Sequence, residues 1–200
     1  MIRKLPFVLP LLLAAVPLAH AGALSLGSVI PEAGVKMKNV DGKEMSISDV
    51  KGTAGTLVVF TCNHCPFAKM WESRIVELGN AYQAKGIGVI AVNANDPSVA
   101  AEDGYDGMVT RAKEKGFAFP YVVDATSGVA KAFGAARTPE AFLFDKEGKL
   151  VYHGAVDDNG QDAAKVDKAY LKDALDAVAG GKPVPVAETK SIGCSIKFRS

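Results

Sequence analysis

Residues 60–67 read FTCNHCPF. Cys62 and Cys65 stand two residues apart, His64 precedes the second cysteine, and Pro66 follows it. Two thiols at this spacing can close a small disulfide ring, offer two soft ligands to a metal, or mark a buried structural corner. A structural zinc site needs four ligands, commonly two such pairs. Beyond His64, the chain after its leader offers only His153 and Cys194, and these form no second pair. Covalent haem attachment needs His directly after the second cysteine, where Pro66 stands.

The elements on either side decide what the pair can do. The run TLVVFT is continuously β-branched and aromatic, the mark of a strand buried on both faces. From about Cys65 to Lys85, Phe67, Trp71, Ile75, Leu78 and Tyr82 recur at spacings of three and four, which predicts a helix with one apolar stripe. Gly86 closes it. Cys62 therefore lies at a strand-to-helix junction and Cys65 in the first turn. Unpaired N–H groups and the positive end of the helix dipole favour an anion there. A thiolate on Cys62 is such an anion, so its pKa is expected below that of a free thiol. A protonated His64 would stabilise it further and make the disulfide more oxidising. Pro66 near the helix start loses no needed N–H.

The rest of the chain alternates strands and helices. GVKMKNVDGKEMSIS reads as two short strands around Asp41-Gly42. IGVIAVNA is a second buried strand. NDPSVAAEDGYDGMVTRAKEKG is polar and becomes helical toward Lys115. FPYVVD is strand-like, and TSGVAKAFGA is a short helix with Thr126 or Ser127 able to cap it. EAFLFDKEGKLVYHG reads as two strands around Lys146-Glu147-Gly148, and DAAKVDKAYLKDALDAVAGG as a last amphipathic helix. This order predicts an α/β fold with a mainly parallel sheet covered on both faces and an antiparallel edge from the final hairpin. Thr138-Pro139 falls just before a buried strand, where a central strand does not tolerate proline. Either Pro139 starts that strand or its peptide bond is cis.

The opening MIRKLPFVLPLLLAAVPLAHAG has Arg3 and Lys4, then an apolar run, then Ala19-His20-Ala21. This is the pattern of a cleaved secretory signal peptide over residues 1–21. It implies a periplasmic or secreted protein, soluble and without a membrane segment after cleavage. About 180 residues remain, enough for one domain with a proper core. We expect that domain over residues 22–181 and a Pro-containing tail over 182–200. The full chain carries a net charge of only +1, with no basic cluster, so nucleic acid is not an expected partner. An exported protein with three cysteines has too few for a disulfide scaffold, and the odd count leaves one thiol free, shared or exchanging.

These features resemble the thioredoxin superfamily, specifically its exported redoxin branch of TlpA/ResA-like thiol:disulfide oxidoreductases and peroxiredoxin-like relatives. The likeness covers roughly residues 27–178. It rests on LVVFTCNHCPF, on TPEAFLFDKEGKLVYHG, on their order, and on the long segment between them. The resemblance implies a thioredoxin-like fold: a central mixed sheet flanked by helices, an N-terminal β-hairpin and an inserted strand–helix unit. It implies exchange of disulfides through Cys-Asn-His-Cys, with Cys62 attacking and Cys65 resolving. Pro139 corresponds to the cis-proline facing the pair, and Thr138 to the residue beside it that touches the partner's backbone. His64 matches the more oxidising members. No cofactor is implied. The expected partners are a thiol- or disulfide-containing protein substrate and a redox partner.

The chain departs from the family pattern at three places. Thr61 replaces the usual Trp before the first cysteine. The strand offers Thr56 and no carboxylate, so the family's buried proton-transfer acid has no match there; Glu140, next to Pro139, is the expected substitute. Val59 stands where a peroxiredoxin carries Thr or Ser, which leaves weak peroxidase activity as an alternative only. A second alternative is a copper-binding chaperone using Cys62, Cys65 and His153, since soft thiolates suit Cu(I). Cys194, in SIGCSIKF, is either a thiol packed against the body, a partner for Cys62 or Cys65, or an intermolecular link. Ile192, Ile196 and Phe198 alternate around it, which suits an edge strand or a groove.

Overall fold

The structure, a computed structural model, describes residues 22 and 24–199, so the signal peptide expected over 1–21 lies outside the described residues. Chain order is β1 (Met37–Asn39), β2 (Glu44–Met45), β3 (Gly55–Phe60), α1 (Pro66–Gln83), β4 (Ile87–Asn93), α2 (Tyr105–Lys115) and β5 (Tyr121–Val123). There follow α3 (Gly128–Phe133), β6 (Arg137–Thr138), β7 (Glu140–Asp145), β8 (Leu150–Gly154), α4 (Tyr170–Ala179) and β9 (Cys194–Ser195). Seven strands form one sheet in the order β2-β1-β5-β4-β3-β7-β8, and β6 pairs with β9 apart from it.

The sheet is mixed, as the resemblance implied, but not mainly parallel. Only β3–β4 and β4–β5 run parallel. The hairpin strand β1 joins antiparallel to β5, and β7 joins antiparallel to β3. Alternation of strands and helices does not reveal that the chain enters β7 from the opposite end, because the turn at Thr138-Pro139 carries no helix.

Every residue of β3 is buried, and successive side chains serve opposite faces. Leu57 and Val59 pack with Trp71, Ile75 and Tyr82 of α1, Met108 of α2 and Leu171 and Leu175 of α4. Val58 and Phe60 pack on the other face with Val129 and Phe133 of α3 and with Phe142 and Phe144. The stripe expected on α1 is thus the buried face, with Phe67 and Leu78 at its margin.

One local expectation is narrowed and another corrected. Ser127 sits at the start of α3 with φ 54° and donates its hydroxyl to the Ala94 carbonyl (2.7 Å), so it does not cap; Thr126 Oγ1 accepts the Gly128 N–H instead. The last helix is shorter than its apolar pattern suggested. Asp162 caps a single turn at Ala163–Lys165, Val166 leaves helical geometry, and α4 begins only at Tyr170.

Phe133 is fully buried and meets Phe60, Phe142 and Phe144 edge-on, with ring centroids 5.2–5.9 Å apart. Phe133→Ala should cost about 3–5 kcal/mol in urea unfolding, the usual range for emptying an aromatic site in a core.

Candidate active site

The Thr61 N–H continues the ladder by donating to the Val92 carbonyl (3.0 Å). The chain then turns through Cys62, Asn63 and His64 into Cys65, which is the N-cap of α1, with Pro66 as the first helical residue. Cys62 is 3% exposed and Cys65 0%. Above them passes the Thr138-Pro139 turn, whose peptide bond is cis. Thr138 touches both sulfurs. Its Oγ1 lies 3.2 Å from Cys62 Sγ, and its carbonyl accepts from the Cys65 thiol at 3.3 Å.

The thiolate expected on Cys62 belongs to Cys65. Hydrogen bonding from the Cys62 thiol holds the Cys65 pKa down at about 4; burial opposes this, and donors from Cys194 and the Ala68 N–H reinforce it. The same hydrogen bond, together with burial and the nearby Asp103 charge, pushes Cys62 well above the ordinary thiol value. Position adds to this: Cys65 has the Ala68 N–H of the first turn beside it, whereas Cys62, three residues earlier, faces a carboxylate.

That carboxylate was not foreseen. Asp103 lies between β4 and α2, forty residues from the motif, and is 1% exposed. Its Oδ1 accepts the Asn63 and His64 N–H groups at 2.6 and 3.2 Å. Its Oδ2 lies 2.6 Å from His64 Nδ1 and accepts from the Asn95 amide at 2.8 Å. Asn63 is held further by Tyr121 OH (3.0 Å) and the Glu102 carbonyl (2.8 Å). His64 Nδ1 is 3.8 Å from Cys62 Sγ. His64 therefore stands between the thiol and a buried acid instead of serving the thiol alone. Nothing in AAEDGYDG marks Asp103 over its acidic neighbours, because its burial depends on how α2 docks.

Cys62, His64 and Asp103 are the ligand-type side chains that converge within 4.8 Å among the described residues. All four lone-pair positions of the Asp103 carboxylate are occupied by donors, so it is committed to holding the turn. His153 does not join Cys62 and Cys65, which corrects the copper set. It stacks on Phe142 at 4.4 Å, and its Nε2 bonds Glu140 Oε1 at 2.8 Å. Glu140 in turn is a clasp: its Oε2 accepts the Ala136 and Arg137 N–H groups at 2.8 and 3.0 Å. Burial pushes the Glu140 carboxyl up, but His153 and these two N–H groups outweigh it and hold the pKa below the ordinary 4.5. Its contacts belong to the turn before Pro139, not to the cysteines.

The tail carries a short strand, one of the two placements that the alternation of Ile192, Ile196 and Phe198 suits. Strand β9 pairs antiparallel with β6, setting Cys194 opposite Thr138, and Cys194 packs on the Cys62, Cys65 and Ala68 cluster.

Two outcomes follow from these contacts. In the reduced protein, thiolate absorbance at 240 nm should rise in a single-thiol step near pH 4; Cys65→Ser should abolish that step, and Cys62→Ala should move it upward. Glu140, with its folded pKa depressed, stabilises the fold above its unfolded value of about 4.5 and ceases to do so as pH falls through the folded value. Glu140→Gln should therefore cost about 1–3 kcal/mol in urea unfolding at pH 7, with the gap to wild type closing in acid.

Residues 26–153 match the AhpC/TSA family. A thiol-disulfide oxidoreductase ResA of Geobacillus thermodenitrificans is 29% identical over 128 residues, covering 64% of this chain and 68% of the relative. Among solved structures, an uncharacterized conserved protein from Geobacillus kaustophilus is 41% identical, with a TM-score of 0.82, covering 88% of this chain and 93% of that one. A hypothetical protein from Sinorhizobium meliloti 1021 is 34% identical, also with a TM-score of 0.82, covering 90% and 97%. The chain belongs to the AhpC/TSA family and is a thioredoxin-fold oxidoreductase.

Proposed function

We propose that the protein is an exported thiol:disulfide oxidoreductase that exchanges disulfides between its Cys62–Cys65 pair and a thiol- or disulfide-containing protein. The observation that carries this reading is the pair of buried thiols gathered beneath the cis Thr138-Pro139 turn, with the Thr138 hydroxyl 3.2 Å from the Cys62 sulfur and the Thr138 carbonyl accepting from the Cys65 thiol at 3.3 Å. The leader ending in Ala19-His20-Ala21 supports export.

Starting from the oxidised pair, a substrate thiolate attacks Cys62 Sγ, the less buried sulfur. The Cys62–Cys65 bond breaks, and Cys65 departs as a thiolate. A low-pKa thiol leaves faster, and the donors gathered at Cys65 supply that property. A second substrate thiolate then attacks the substrate sulfur of the mixed disulfide. The substrate leaves with a disulfide, and Cys62 departs and takes a proton. Thr138 Oγ1 lies against the Cys62 sulfur, where its hydroxyl can donate to the departing charge. Run backward, the same steps reduce a disulfide. A thiolate stabilised in the reduced form favours the oxidising direction.

The test is turnover of a synthetic peptide with two cysteines, measured beside the reduction potential of the pair against glutathione. The oxidised protein should convert the dithiol to a disulfide, and Cys62→Ser should reduce turnover by about a hundred-fold or more, as loss of the attacked sulfur removes the exchange step. Absence of turnover in either direction by the wild-type protein would sink the assignment.

A further inference from the structure

The exchange just described uses two of three cysteines and leaves unexplained how the pair is recharged. Cys65 is fully buried and Cys62 nearly so, while Cys194 is partly exposed. Cys62 and Cys65 share one buried cluster, and Cys194 packs against it, set opposite Thr138, whose carbonyl accepts from the Cys65 thiol. The Cys62 sulfur meets the Thr138 hydroxyl and His64.

The tail that brings Cys194 here is held along its length. Ile196 N–H donates to the Ala136 carbonyl at 3.0 Å, and the Arg137 guanidinium to the Gly193 carbonyl at 2.9 Å. Lys197 N–H donates to Asn95 Oδ1 at 2.8 Å, and Ile196 enters the core beside α3. Gly193 lies so close to the Thr138 carbonyl that a Cβ there would collide with it. These anchors are backbone groups or residues other than Cys194. A small side chain at position 194 would keep the strand pairing. The thiol is what strand geometry does not require. Cys194 and Phe67 of the first turn of α1 both pack on the cysteine cluster.

We propose that Cys194 is a third redox-active thiol, the port at which a disulfide-bearing redox partner recharges the Cys62–Cys65 pair. The proposal rests on the exchange reading above. In the first step Cys194, giving up its proton, attacks the partner disulfide, forming a Cys194–partner mixed disulfide and releasing one partner thiolate. Next the Cys65 thiolate attacks Cys194 Sγ, closing Cys65–Cys194 and releasing the second partner thiolate. Finally Cys62, giving up its proton, attacks Cys65 Sγ; Cys62–Cys65 forms, and Cys194 departs and is reprotonated. One partner disulfide is reduced to a dithiol, and one protein dithiol is oxidised. Substrate and redox partner thus use different sulfurs, and Cys65 is the branch point between two alternative disulfides.

Trypsin separates the two ends of the relay, placing Cys62 and Cys65 in peptide 52–69 and Cys194 in peptide 191–197. Oxidised with diamide, Cys62→Ser should link these peptides within one chain, and Cys65→Ser should not. In the wild-type chain, acid-quenched during re-oxidation by a protein disulfide, the linked species should appear and then give way to Cys62–Cys65. Cys194→Ser and Cys194→Ala should both slow that re-oxidation by about ten-fold or more, since the accessible attacking thiol is gone. The port is overturned if Cys65 and Cys194 stay alkylatable in oxidised Cys62→Ser, if Cys65→Ser joins Cys62 to Cys194 instead, or if the Cys194 variants recharge at the wild-type rate. Each of those results leaves the Cys62–Cys65 exchange standing. A wild-type chain that forms no Cys62–Cys65 disulfide removes the exchange reading, and the port with it.

Discussion

Thr138 touches all three cysteines. Its hydroxyl meets Cys62, its carbonyl accepts from Cys65, and its backbone pairs with Cys194. One residue in the turn before β7 therefore sets the distance between the strand–helix junction and the tail. The turn is itself held from below. Glu140 clasps the N–H groups of Ala136 and Arg137, and His153 on β8 steadies Glu140. A shift in this turn would move every sulfur contact at once. This is why residues with no reach to a thiol are still part of the site's construction.

The second constraint is a buried charge. An ionised carboxylate taken out of water is costly unless it is fully hydrogen-bonded. Asp103 meets this condition by gathering two backbone N–H groups, one amide and the His64 ring. Those same bonds fix the path of residues 62–64. The segment between β4 and α2 thus does more than lengthen the chain: it brings an acid to the face of the pair opposite the helix dipole. Negative charge on that side and N–H donors on the other make the two thiols unlike, which is the asymmetry the proposed exchange uses.

Much of the fold was legible because it is local. The apolar run of β3, the three-and-four spacing on α1 and the hairpin turn at Asp41-Gly42 each express a rule that acts over a few residues. The pair of cysteines at the junction followed directly. The direction of β7, the short α4 and the partner of the tail strand did not, since each depends on contacts with residues far along the chain. Glu140 was read as a proton carrier because it neighbours Pro139. The fold turns its carboxylate toward the loop and His153 instead. A distant histidine beside two cysteines makes His153 a candidate metal ligand in the sequence, whereas its stacking on Phe142 and its bond to Glu140 assign it elsewhere.

The sequence by itself determined that two thiols would meet where a buried strand becomes a helix, since spacing, periodicity and the proline after the second cysteine all act locally. It determined as well that a proline turn would precede the strand that follows. Only the tertiary structure decided which thiol carries the charge, which acid faces it and where the third cysteine lies. Those outcomes turn on electrostatics over a few ångströms between residues forty to a hundred and thirty positions apart, and no local pattern encodes that distance.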